Sequence, residues 1–423
     1  MTHTDPFARP AYLNFPPPTQ APDEVTRAAN AVPGPATVGQ QVRRPSLLVP
    51  AIIGFSILGL TGLLVVGYLF LALGAGVVAL AGFMALVPLA LVLLGVRWID
   101  RWEPEPRGTL VFAFLWGAIA SVFGALVVGL IVQVVQEGAG VSSEMQDFTG
   151  AVIQAPLVEE FAKGLGILIL LFAARKHFDG PVDGVVYAAT IAAGFAFTEN
   201  ILYFGDAVLG GVPAEIVGIF VMRGLMSPFA HVMFTICTGL ALGIAARRRG
   251  VGPGILAFVI GLIPAIGLHA LWNGATFVVG DGFLAYYALV QVPLFAGAIV
   301  LVVLLRRQES RLTVTRLTEY AAAGWFNPDE ITALATPGGR RRALSWARGH
   351  GIGAVMKGYI RDATKLAFVR QRLVAGIGTT AAVQVDESAL LAGIVQRRAA
   401  LQPQAVPQPM QQPLQQDWRP PTV

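Results

Sequence analysis

The sequence predicts an all-α fold: a polytopic membrane helix bundle of about eight transmembrane helices with a small helical cytoplasmic tail. Mean hydropathy is +0.65. Of 423 residues, 55% are hydrophobic and 13% charged, about half the charged share of a soluble domain. Apolar runs long enough to cross the hydrocarbon layer recur along the chain, and the loops between them alternate in charge.

Composition also excludes some classes. The single cysteine, Cys237, rules out a disulfide within the chain and any zinc site built from several cysteines. The net charge of +5 is mild and follows from loop charge, so no nucleic-acid partner is expected. The first apolar run begins too late for a cleavable signal peptide.

Residues 1–45 read as a disordered cytoplasmic arm, rich in proline (Pro16, Pro17, Pro18, Pro22, Pro33, Pro35). Residues 46–306 read as the transmembrane domain. Its opening run, Ser46 to Val96, carries no charge and is too long for one helix, so a hairpin breaking near Gly74–Gly76 is expected. A charged loop from Arg97 to Arg107 follows. The third span is expected from Leu110 to Val135, the fourth from Phe148 to Ala174, and the fifth from Val185 to Phe204. The sixth runs from Ile216 to Ala246, the seventh from Gly254 to Val279, and the eighth from Phe283 to Leu305.

Loop arginines and lysines lie before the first span and after the second, fourth, sixth and eighth; the other loops are acidic or uncharged. The positive-inside rule then places both termini in the cytoplasm of a multi-pass protein of the cell membrane. Residues 307–402 read as a small helical cytoplasmic region. A helix is expected from Arg311 to Gly324, another capped at Asn327 and running to Ala335, one or two within Ala343–Ala367, and one from Glu387 to Ala400. Arg340, Arg341 and Arg342 read as a solvated or lipid-headgroup face. Residues 403–423 are a Pro/Gln-rich tail expected to be disordered.

Four spans carry polar groups where a bilayer penalises them: Glu159, Glu160 and Lys163 on the fourth, Glu199 and Asn200 on the fifth, His231 and Thr235 on the sixth, His269 and Asn273 on the seventh. At ~1.5 Å of rise per residue, Glu159–Glu160, Glu199, His231 and His269 fall in one slab between the midplane and the outer leaflet. Glu159 and Lys163, His231 and Thr235, and His269 and Asn273 are each spaced i,i+4, so each pair shares a helix face. Arg223 lies nearer the outer end of the sixth span, able to neutralise a carboxylate. Taken singly, each has a structural reading: a buried ion pair for Glu159 and Lys163, interhelical hydrogen bonding for Asn200 and Asn273, backbone bonding for Thr235. Together, carboxylates and histidines at one depth suit water activation. A buried glutamate can act as base, two histidines with a carboxylate can hold zinc, and an asparagine can donate to an oxyanion. No His-Glu-x-x-His run and no Gly-x-Ser-x-Gly turn is present.

These residues carry a family resemblance. Glu159-Glu160-x-x-Lys163 resembles the first motif of the PrsW intramembrane proteases. Asp183 to Tyr187 with Gly194 to Tyr203 resembles the second, and His231-x-x-x-Thr235 and His269 to Asn273 the third and fourth. The Glu103-Pro104-Glu105-Pro106 loop is similar too. The likeness covers residues 97–305, and the family is similar to the CAAX-processing and Abi proteases. It implies hydrolysis of membrane-anchored protein substrates, the best-known kind being an anti-sigma factor cut at its first site. It is compatible with a metal mechanism and with a metal-free glutamate–histidine one. On this reading Glu160 is the expected base and Glu159 the partner of Lys163. Zinc, if bound, takes Glu199, His231 and His269; Asn273 serves the oxyanion; Lys163, Asn200, Arg223 and Thr235 support the site. The rival reading is a proton- or ion-coupled transporter using the same Glu and His as a relay, against which no inverted repeat is visible.

Overall fold

A computed structural model describes residues 48–377 and 380–401. The expectations of disorder for residues 1–45 and 403–423 lie outside these described residues. No strand occurs among them. The bundle helices are α1 (Leu48–Leu73), α2 (Ala75–Ile99), α3 (Arg107–Gly138), α4 (Ala155–Ala173), α5 (Pro181–Gly210), α6 (Pro213–Ala245), α7 (Gly252–Val278) and α8 (Phe283–Ala322). The tail adds α9 (Pro328–Ala335), α10 (Pro337–Gly349), α11 (Gly353–Ala375) and α12 (Thr380–Leu401).

The expected hairpin breaks at Gly74, whose φ of 77° suits a residue without a Cβ. Among the described residues, seven helices are long and apolar enough to cross a bilayer. The eighth expected span, α4, is not among them, because Glu159, Glu160 and Lys163 sit within its 19 residues. Its polar face is buried against α3, α5, α6 and α7, while Leu157, Phe161 and Phe172 leave an apolar face exposed. Burial by these neighbours, rather than its own hydrophobicity, places it in the bundle.

The central helix is α5. Most of its residues are buried, whereas almost none in the apolar stretch of α8 are, so α5 is the core and that part of α8 faces outward. Small residues make this possible. A Cβ on Gly184 would come within 2.0 Å of the Gly239 carbonyl oxygen, so α5 and α6 touch backbone to backbone. Leu170, Leu171, Phe178, Val185, Ile191 and Leu242 fill the surrounding core. Three of the described spans are irregular: α3 is π-wound over Trp116–Ser121, α8 over Tyr287–Gln291, and α6 over Phe220–Met226, after which residues 227–229 break it.

The tail departs from expectation at two points. No separate helix begins at Arg311; α8 passes unbroken from the membrane into the tail as far as Ala322. Arg340 is not a solvated or headgroup residue. It is buried, stacked 3.4 Å from the Trp102 ring centroid, and donates to the carbonyls of Leu334 (2.6 Å) and Trp102 (3.1 Å) and to Thr364 Oγ1 (2.5 Å). Arg341 and Arg342 are exposed. Trp102 in turn donates to Thr313 Oγ1 at 3.1 Å, which fastens the α2–α3 loop to the tail. The expected cap at Asn327 forms: its side chain accepts from Glu330 N at 2.7 Å.

Candidate active site

The residues α4 presents are set by its packing. Trp116 donates Nε1–H to the Ala162 carbonyl at 2.9 Å and lies over Gly166, where any Cβ would meet the indole at 2.3 Å. That contact turns Glu159, Glu160 and Lys163 toward α5, α6 and α7, and all three are buried.

Glu160 is saturated. Its Oε1 accepts from Lys163 Nζ at 2.6 Å and from His269 Nδ1 at 3.0 Å, and its Oε2 accepts from Thr235 Oγ1 at 2.8 Å. Glu199 Oε2 pairs with Arg223 Nη2 at 2.5 Å and with His231 Nε2 at 2.8 Å. Arg223 Nε also donates to Asn200 Oδ1 at 3.0 Å. Lys163 Nζ reaches His231 Nδ1 at 3.3 Å and so joins the two halves. Three carboxyl groups thus meet two fixed cations, Lys163 and Arg223.

Chemistry decides the tautomers. An ammonium only donates and a carboxylate only accepts, so His231 accepts at Nδ1 and donates at Nε2, while His269 donates at Nδ1. Two atoms then stand apart. Glu159 Oε2 is buried with no hydrogen-bond partner, and His269 Nε2 lies 3.8 Å from it. Glu159, His231 and His269 each offer one ligand atom, all within 4.8 Å of one another. This set fits a metal by donor chemistry and by the orphaned oxygen, but it differs from the sequence expectation: Glu159 stands where Glu199 was expected, since Glu199 is turned to Arg223. A cavity of about 20 Å³ beside His231, also lined by Asn200, Arg223 and Trp272, has room for one water.

Residues 105–298 match the family model described as PrsW family intramembrane metalloprotease. The chain is 35% identical over 160 residues to Protease PrsW of Clostridioides difficile (strain 630), covering 37% of this chain and 62% of that protein. To Protease PrsW of Geobacillus kaustophilus (strain HTA426) it is 31% identical over 153 residues, 36% and 61% of the two chains. To that of Oceanobacillus iheyensis it is 27% identical over 187 residues, 44% and 77%. The chain therefore spans about three fifths of the first two relatives it matches. No solved structure matches it. The PrsW-like stretch contains every member of the polar network and none of α9 to α12.

The structure brings Glu159, Glu160, Lys163, Glu199, Asn200, Arg223, His231, Thr235 and His269 into one connected cluster. Asn273 is engaged elsewhere: its amide donates to the Ala151 carbonyl at 2.8 Å and ties α7 to the π-turn preceding α4. Three aromatic neighbours escape sequence reasoning. Phe195 lies 4.2 Å from Lys163 Nζ, Phe234 stacks on His269 at 4.9 Å, and Tyr203 lies 3.8 Å from the Arg223 guanidinium. Their spacing is the signal that could have found them: Phe195 and Tyr203 lie four residues either side of Glu199, and Phe234 three residues after His231, each on the same helix face.

Proposed function

We propose that the chain is an intramembrane endopeptidase that hydrolyses a peptide bond of a membrane-anchored protein, with Glu159 as the base. The observation that carries this is the unpartnered Glu159 Oε2 beside His269 Nε2. Both are acceptors, so one water can donate to each, and Glu159 takes its proton as the oxygen attacks the scissile carbonyl. Glu160, expected from the sequence as the base, has its oxygens committed to three donors and acts by holding Lys163, His269 and Thr235 in place. Arg223, at the mouth beside the small cavity, supplies positive charge to the developing oxyanion. A zinc held by Glu159, His231 and His269 would instead take over the activation of water, lowering its pKa and polarising the carbonyl, with Glu159 then a ligand rather than the base.

An apolar groove of about 660 Å³ between α6 and the start of α8, bordered by Val217, Met222, Met226 and Phe283, adjoins the 222–227 turn of the site and supports approach by an apolar segment. The finer substrate class is an anti-sigma factor cut at its first site, on the PrsW likeness, and kinship with the CAAX/Abi group belongs to the same proposal. Glu159→Gln and His269→Ala should each lower cleavage of a membrane-anchored reporter by about 10²–10⁴-fold while leaving membrane insertion intact. Wild-type rates in both would sink the protease reading. Both termini are proposed to be cytoplasmic. With Cys237 first replaced by Ala, cysteines at Glu144 and Glu215 should then label from outside the cell and those at Lys176 and Arg248 only after permeabilisation; one-sided labelling of all four would refute this.

A further inference from the structure

We propose that Lys163 is the built-in cation of this centre, and that its ammonium and a divalent metal ion are alternative occupants of the same donors. Lys163 is fully buried. Its Nζ lies 2.6 Å from Glu160 Oε1, 3.3 Å from His231 Nδ1 and 3.6 Å from Glu159 Oε2. An ammonium donates and never accepts; here it is bonded to Glu160 Oε1 and His231 Nδ1 and stands within ion-pair range of Glu159 Oε2 without a hydrogen bond to it. Two of them, Glu159 and His231, belong to the three-residue set able to hold a metal.

The imidazole of His231 makes the exclusion sharp. Its Nε2–H is committed to Glu199 at 2.8 Å, so only the Nδ1 lone pair remains. That lone pair points at Lys163 Nζ. Zinc binds an imidazole nitrogen at ~2.0–2.1 Å along the same lone-pair direction, where the ammonium already stands. A metal at Glu159 would also lie close to the buried lysine charge, where low dielectric makes repulsion between cations strong. Only His269 Nε2 is unclaimed by a cation. With Lys163 in place, the centre keeps its geometry without a metal, and a metal enters only by displacing the ammonium or breaking the His231–Glu199 pair.

The inference rests on reading this cluster as the reaction centre, but its test reads metal content rather than hydrolysis, so the two can fail separately. The full chain in detergent is titrated with zinc against a chromophoric chelator. Wild type should bind weakly. Lys163→Met should bind more tightly by about tenfold or more, the scale on which neighbours of metal ligands act. Because Lys163→Met strips Glu160 of its partner, Lys163→Met/Glu160→Gln is measured beside it and should show the same gain. Adding His269→Ala to that double variant should abolish the gain. Equal zinc affinity in wild type and the double variant, or weaker binding in the double variant, overturns the proposal. So does wild type retaining one tightly held zinc against the chelator, a result that depends on no variant folding. Parallel cleavage of a membrane-anchored reporter by wild type, with zinc chelated, reports separately on the protease reading.

Discussion

Two polar clusters sit on the same central helix and are built in opposite ways. The upper one surrounds Glu199. The lower one surrounds Asp183, roughly sixteen residues and ~24 Å of helix rise away, where the bundle meets the tail. In the upper cluster Glu160 and Glu199 each hold a cation within 2.6 Å, and Glu159 has Lys163 at 3.6 Å. In the lower one, Glu103, Glu105, Asp179, Asp183 and Glu309 gather with few close cations. Tyr187 donates to Glu105 at 2.6 Å, the backbone N–H groups of Asp179 and Gly180 donate to Asp183 at 2.9 and 2.8 Å, and one oxygen each of Glu103 and Glu309 has no partner. Paired carboxylates keep fixed charge in a buried site; unpaired ones take up protons instead. In the loops, burial pushes Glu103 well above the usual carboxylate range, with Asp179, Asp183 and Glu309 adding repulsion. Burial raises Glu105 likewise, and lifts Asp179 and Asp100 to about 6. In the upper cluster Glu160 and Glu199 keep their charge through close cations while Glu159 keeps one oxygen without a hydrogen-bond partner; the lower cluster is built for sensitivity to pH.

The largest test of this contrast removes a cation from the upper cluster. Lys163→Met leaves Glu160 buried without its ion partner and should destabilise the bundle by about 3–5 kcal/mol, read as thermal melting in detergent. Lys163→Met/Glu160→Gln should recover most of that loss, since neither charge is then stranded. An unchanged melting point in the single variant would mean that charge pairing does not hold the upper site together.

A smaller effect is expected below. Asp179 and Asp100 have folded values near 6 against ordinary values of 3.8. The stability their protonated forms supply is full below about pH 4 and is lost as pH rises through about 6. Melting temperature should therefore fall between pH 4.5 and 7, and Asp179→Asn should flatten the fall; a rise over that window would contradict the assignment. The smallest effect belongs to Glu103→Gln. It removes a carboxylate with an unpartnered oxygen and should leave stability at pH 7 within about 0.5 kcal/mol of wild type, or above it. A loss comparable to that of Lys163→Met would erase the distinction between the clusters.

Much of the site was legible in the sequence because a bilayer makes polar residues conspicuous. Glu159, Glu160, Lys163, Glu199, His231 and His269 stand out in apolar runs whatever their phase, and common depth follows from counting residues along each helix. Roles were less legible. Spacing i,i+4 favoured Glu159 as the partner of Lys163, yet Lys163 reaches Glu160, at i,i+3, a full ångström closer. Both spacings share a helix face, and the choice between them is made by side chains arriving from α6 and α7. Arg340 was misread for a related reason: within three consecutive arginines, only packing against Trp102 tells the buried one from its exposed neighbours.

By itself, the sequence determined the all-helical membrane architecture, the break at Gly74, the capped helix at Asn327 and the set of residues that meet in the membrane. These depend on hydropathy, backbone permissiveness and local hydrogen bonding, which act along the chain. Only the tertiary structure decided which carboxylate keeps a free oxygen, that Asn273 is spent on a backbone carbonyl, and that a helix too charged to count as a span packs its polar face against four others. Those outcomes turn on helix rotation. Adjacent residues differ in direction by about 100°, and the rotation is set by contacts such as Trp116 on Gly166 that join elements far apart in sequence.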